Sequence, residues 1–166
     1  GDLKITPHET SASLHDRLAA LGAELMVKTL NDLDKGAGIA RTPQPSEGVI
    51  YAEKILKNEA EIDWHLSAIE IDRRIRAFNP FPGSTSSVHG EQLKFWNSCL
   101  PSKAQIFQNA TPGQVLGFDG DAVYIQCGEG VIKVLEMQKP GGKKTSASAC
   151  LQGYRTQEKI MQFKKD

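Results

Sequence analysis

Along the opening segment of the chain, Leu14, Leu18, Leu21, Leu25 and Leu33 recur at near-helical spacing, and Thr10, Ser11 or Ser13 can cap the start. Gly22 interrupts the stripe, so the pattern predicts either one bent helix or two short ones over roughly Ser11 to Asp34. A stripe of this length needs a partner surface, and the rest of the chain offers little obvious one. Asp34 to Gly48 then holds three glycines, Pro43 and Pro45, with few large apolar residues, which reads as a linker kept extended by its prolines. A second helix is announced by Ser67-Ala68-Ile69-Glu70, a capping box, followed by Ala68, Ile71, Ile75 and Phe78 on one face. Asn79-Pro80 ends it, because the residue before proline avoids the helical region.

From Ser84 the pattern changes to short strands. Leu93 to Trp96 follows a His89-Gly90 turn, and Gln114–Phe118 faces Ala122–Cys127 across Asp119-Gly120-Asp121, a hairpin signal. Val131–Met137 follows Gly128-Glu129-Gly130, and a short helix is expected near Ser146 to Gln152. Strands spaced about 8–12 residues apart predict a small antiparallel barrel or sandwich.

The composition fits one ordinary domain with an appendage: 166 residues, 39% hydrophobic and 24% charged. No apolar run approaches the ~20 residues that span a bilayer. Gly1 to Thr10 lacks the basic start and apolar stretch of a signal peptide, so no membrane partner is expected. Cys99, Cys127 and Cys150 form no C-x-x-C pair, which predicts free thiols in a reducing cytoplasm. Net charge is zero, yet it is unevenly spread. Residues 1–83 carry 10 Lys and Arg against 13 acids, residues 84–166 carry 10 against 7, and from Lys139 onward the count is 7 against 2. A local basic end can engage phosphates even on a neutral chain, since fields decay over ~10 Å.

Ile62-Asp63-Trp64, followed by Ile75-Arg76-Ala77-Phe78-Asn79-Pro80-Phe81-Pro82-Gly83, resembles the opening of the C-terminal domain of the methionyl-tRNA formyltransferases. Thr111-Pro112-Gly113, Gly128-Glu129-Gly130 and the run Gln138-Lys139-Pro140-Gly141-Gly142-Lys143-Lys144 resemble its later turns and basic loop. Ile5-Thr6-Pro7 through Leu30 resembles the last helical part of the family's folate-binding domain. Thr42-Pro43-Gln44-Pro45 with Tyr51-Ala52-Glu53-Lys54 resembles the interdomain linker. After Tyr154 the sequence departs from the family pattern.

The resemblance implies a mainly β fold with helical segments. An antiparallel OB-like barrel (50–153) follows the helical tail of a Rossmann-like formyltransferase domain (1–34) and a linker (35–49), and precedes a C-terminal tail (154–166). It also implies transfer of a formyl group from 10-formyltetrahydrofolate to the methionine amino group on initiator methionyl-tRNA, in the cytoplasm, by a monomer. The family's catalytic asparagine, histidine and aspartate lie upstream of residue 1, and Asp2 matches a later, non-catalytic acid. This chain is therefore expected to hold no catalytic residue and no cofactor, and to work beside its own N-terminal formyltransferase domain. Two alternatives stay open. One is a related formyltransferase or formyltetrahydrofolate hydrolase with a non-RNA substrate, against which the basic end weighs. The other is a free-standing RNA-binding module, against which the unpartnered leucine stripe weighs.

The resemblance makes Lys139, Lys143 and Lys144 candidate tRNA contacts, on a glycine-containing loop able to approach a phosphate backbone closely. A solvated turn is the plain alternative. Arg73 and Arg74 are further candidates, while Arg76 is expected to pair with an acid or brace the Asn79-Pro80 turn. Lys94 joins the candidates on its strand, where alternation puts one of Phe95 and Trp96 inward and the other outward; filling of the core outweighs base stacking for this pair. Trp64 is expected to anchor a core or interface. His8, His15, His65 and His89 show no ligand spacing, so no metal site is expected. No G-x-S-x-G nucleophile motif is present.

Overall fold

The computed structural model describes residues 2–36, 42–102, 109–154 and 161–165. The chain divides into two compact units, Gly1–Ile55 and Leu56–Asp166.

The first unit is built on one helix, α1 (Ser11–Asp34). Its cap is Thr10, whose hydroxyl accepts from the Ser13 amide while the Ser13 hydroxyl accepts from the Thr10 amide. Gly22 sits inside the helix with open space where a side chain would be, and the helix runs through it without a break. No residue of α1 is buried; Leu18, Leu25, Leu30 and Leu33 are exposed. Residues 42–55 form neither helix nor strand, and 37–41 of the expected linker lie outside the described residues.

The second unit begins with a 3-10 turn, Lys57–Ala60, and the helix α2 (Ala68–Ala77). Ser67 accepts from the Glu70 amide, and Glu70 returns a bond to the Ser67 amide, so both ends of the predicted box are satisfied. Ala68, Ile71 and Ile75 face the core. Full burial of each isoleucine contributes about 1.5–3 kcal/mol.

Six strands follow: β1 (Ser84–Val88), β2 (Glu91–Cys99), β3 (Val115–Asp119), β4 (Ala122–Gln126), β5 (Val131–Gln138) and β6 (Lys144–Ser146). They form one antiparallel sheet in the order β1-β2-β5-β4-β3, with β6 pairing β5. The β3–β4 hairpin turns at Gly120-Asp121, where Gly120 takes a φ of +57°. The helix α3 (Ala147–Leu151) follows β6, capped by Ser146.

Residues 161–165 join the two ends of this path through isolated bridges. Lys164 and Ser87 exchange both backbone bonds, Phe163 N–H donates to Gly113 O at 2.9 Å, and Val115 N–H donates to Met161 O at 2.9 Å. Met161 and Phe163 thereby enter the core with Trp64, Leu93, Phe95 and Ile132. Residues 155–160 of the expected tail lie outside the described residues. Gly113, at φ +86°, lies so close to the segment that a Cβ there would meet Phe163 O at 2.3 Å.

Candidate nucleic-acid interface

The candidate surface is organised around Trp96. In the β2–β5 ladder Phe95 pairs Met137 and Asn97 pairs Glu136, so Trp96 is an extra residue at a bulge. Phe95 joins the core as alternation requires. Trp96 stands apart from that core, yet only 7% of it is exposed. The outward member of the pair is thus not an open stacking platform, because neighbouring side chains and backbone cover it.

The cover is basic. Lys144 Nζ lies 3.8 Å from a Trp96 ring centroid, and Lys94 Nζ lies 5.5 Å away. Each ammonium is drawn to the negative face of the indole while its alkyl stem shields the ring from water. Gly83 closes a further side: at φ +84°, a Cβ there would come 2.9 Å from the indole. Asn79 Nδ2 donates to Trp96 O at 2.9 Å, tying the end of α2 to the same strand. The Asn79–Pro80 and Phe81–Pro82 peptide bonds are both cis. The Phe-Asn-Pro-Phe-Pro-Gly run therefore has a physical role here, as a turn built against Trp96.

Gln138 couples this strand to the basic turn. Trp96 Nε1–H donates to Gln138 Oε1 at 2.8 Å, and Gln138 Nε2 donates to Gly142 O at 2.7 Å. Gly142 N–H closes the turn on Lys139 O at 3.0 Å, with Gly141 at φ +68°. Lys143 and Lys144, both exposed, leave this turn side by side. Lys139 lies at its start, with Nζ 4.6 Å from the Tyr154 ring. The Tyr154 hydroxyl donates to Glu91, and burial together with that carboxylate pushes the phenol up from its usual value. Glu91 is thus engaged by Tyr154.

Lys94 and Lys144 share Trp96, and Lys139 and Lys143 belong to the turn that Gln138 anchors. Arg73 and Arg74 are exposed on α2 and lie in another electrostatic neighbourhood, that of Glu70. The Ser67 bonds, and after them these two guanidiniums, hold the Glu70 carboxyl below its usual range. Arg76 pairs with Asp72 at 3.0 Å, as expected for a bracing arginine, and Asp72 also accepts from Ser98. Trp64 anchors the core, its Nε1–H donating to Ser86 at 2.9 Å. Sequence reasoning missed Gln138 and Asn79; neither residue type carries a local signal for a partner more than 15 positions away.

Among the described residues, no group of three or more His, Cys, Asp and Glu could hold a metal ion. No helix among them is long and apolar enough to cross a membrane. Cys127 is buried, and burial pushes its thiol up to about 12, which removes it as a nucleophile at neutral pH.

Residues 54–155 match the family described as "Formyl transferase, C-terminal domain". The chain is 57% identical over 162 residues to the methionyl-tRNA formyltransferase of Polynucleobacter necessarius subsp. necessarius (strain STIR1), a match covering 98% of this chain and 49% of that protein. It is 45% identical over 150 residues to the methionyl-tRNA formyltransferase of Burkholderia pseudomallei (strain 668), covering 90% and 45%. The chain thus spans about half the length of the curated relatives it matches. A variant of HypX from Aquifex aeolicus superimposes with a TM-score of 0.64 at 19% identity, covering 89% of this chain and 27% of that one. HypX in complex with tetrahydrofolic acid gives 0.61 at 19%, covering 86% and 26%. At that identity the likeness concerns the fold alone. Because the family match takes in well over half of the sequence, together with α2, the whole antiparallel sheet and α3, the chain belongs to the formyl transferase C-terminal domain family.

Proposed function

We propose that this chain is the tRNA-holding part of a methionyl-tRNA formyltransferase, which moves a formyl group from 10-formyltetrahydrofolate to the amino group of methionine on initiator tRNA. The observation that carries the reading is the basic clasp on Trp96: Lys144 and Lys94 laid on one indole, linked through Gln138 to the turn that presents Lys143. The names and identities of the relatives support the substrate.

In this reading Lys143, Lys144, Lys139 and Lys94 contact phosphates, and Arg73 and Arg74 extend the contact along α2. Each contact releases counterions, so affinity comes from backbone charge and not from base sequence. The anchored turn matters because lysine alone is a flexible point charge; indole and backbone bonds reduce the freedom lost on binding. The chain supplies no catalytic group and no cofactor site. The chemistry belongs to the protein's own N-terminal formyltransferase domain, toward which the tRNA is held so that amine and formyl donor meet in one complex. The protein acts as a cytoplasmic monomer.

The test is a salt titration of initiator tRNA binding by the whole chain and by Lys143→Ala/Lys144→Ala. Log K is expected to fall steeply with log salt. The double variant should show a slope shallower by about 1–2 units, for two lost phosphate contacts. Equal slopes from folded proteins would refute the assignment of the loop.

A further inference from the structure

Beside the clasp lies an open groove of about 580 Å³, lined by residues of the second unit only. That size falls within the ~300–1,000 Å³ range of small-molecule sites. Phe81 lines it and is 61% exposed. It stands between Pro80 and Pro82, whose rings fix their own backbone angles and hold the phenyl ring on a stiff turn. Phe81 is more exposed than Phe118, at 37%, and contrasts with Phe95, Phe163, Trp64 and Trp96, which are buried.

The groove has a charge pattern as well as an aromatic ring in its lining. Lys57 lines it, and so does Lys94, the lysine already laid against Trp96. Lys94 Nζ also donates to Pro82 O at 3.4 Å, which keeps its ammonium at the rim of the Phe81 turn. One acid, Glu61, lines it with these two cations. Asn58 and Gln92 contribute amides able to donate and accept together along a base edge.

We infer that this groove takes an unpaired nucleotide of the bound RNA, its base stacked on Phe81 and its phosphates at Lys94 and Lys57. The inference rests on the proposed RNA surface and deepens it: Lys94 belongs to both, so the groove continues the basic patch. A phenyl face stacks on any base, whereas the two lining cations suit the phosphates that a nucleotide carries and a neutral apolar peptide does not.

The experiment compares the whole chain with Phe81→Ala and Phe81→Trp in binding to an initiator tRNA transcript, with melting curves to verify folding. Loss of one stacked base predicts affinity about 5- to 150-fold weaker in Phe81→Ala, with the salt slope unchanged because no phosphate contact is removed. Phe81→Trp should bind like the parent, and its new indole, distinguishable from buried Trp64 and Trp96 by red-shifted emission, should be quenched as tRNA is added. Phe81→Ala binding within about twofold of the parent, with Phe81→Trp emission unmoved at saturating tRNA, overturns the groove assignment and leaves the lysine surface standing; a polypeptide occupant would give that result. Absence of salt-dependent binding by the parent chain overturns the RNA surface and the groove with it.

Discussion

Truncating Phe163 to alanine tests whether the segment 161–165 belongs to the core of the second unit or merely trails from it. Phe163 is 1% exposed. Its ring packs edge-on against Phe95 at a centroid distance of 5.2 Å and tilted against Trp64 at 5.8 Å. Phe→Ala in such a site costs about 3–5 kcal/mol in lost transfer energy and cavity. Each aromatic pair accounts for about 0.5–1.5 kcal/mol of that loss. The backbone bonds to Gly113 and Ser87 hold this segment and its neighbours in register, so the site has little freedom to collapse onto the void. At about 4 °C per kcal/mol for a domain of roughly 100 residues, the midpoint should fall by about 12–20 °C. Circular dichroism during heating measures this, with urea unfolding as a check that only the midpoint moves and not the slope. Lys165→Ala, at an exposed position two residues on, is the control. A Phe163→Ala melting point within about 2 °C of the control would refute the placement of this segment in the core.

Gly128→Ala should destabilise by at least about 2 kcal/mol in urea unfolding, because its Cβ would stand 1.9 Å from His65 O while the Gly128 amide is bonded to Trp64 O and Leu66 O. Lys144→Ala should raise acrylamide quenching of Trp96, and Lys143→Ala should not, since of these two lysines it is Lys144 that lies over the ring. Cys127 should resist a thiol reagent from pH 6 to 9 in native protein and react once unfolded, its thiol being pushed up to about 12. Asp119 accepts from Lys133 at 2.7 Å and from Tyr124 at 3.0 Å, and these bonds, that of Lys133 foremost, hold its carboxyl below the usual range. A lowered folded value means that this contribution to stability is present above the unfolded pKa, about 3.9, and is lost as pH falls through the folded value. An NMR titration should therefore place Asp119 below an ordinary aspartate, and Lys133→Met should move it back up.

Much of the architecture was decided locally and was therefore legible in the sequence. Thr10 caps a helix over Ser11–Asp34, Ser67 and Glu70 box the next, Asn79-Pro80 stops it, and Asp119-Gly120-Asp121 turns a hairpin. Each depends on groups within a few residues of one another, whose geometry is set by backbone sterics and short-range hydrogen bonds. Gly22 left two readings open, one bent helix or two, and a single helix resulted; one glycine costs about 1 kcal/mol against alanine and does not by itself break a helix. The lysines on the Pro140-Gly141-Gly142 turn were likewise visible, since a glycine loop bearing adjacent cations is a local pattern.

Tertiary structure alone decided the rest, because the deciding partners are distant in sequence. Nothing near Phe163 signals that its ring meets Phe95 and Trp64. Strand alternation separates Phe95 from Trp96 but cannot foresee that Lys144, 48 positions away, covers the outward ring. Nor does it show that Gln138 ties that ring to the basic turn, or that Phe81 is left open while Trp96 is covered. Period and capping are written in a window of a few residues. Which aromatic ring is covered, and which cations gather beside it, is settled only when β2 and β5 pair and bring their turns to one face.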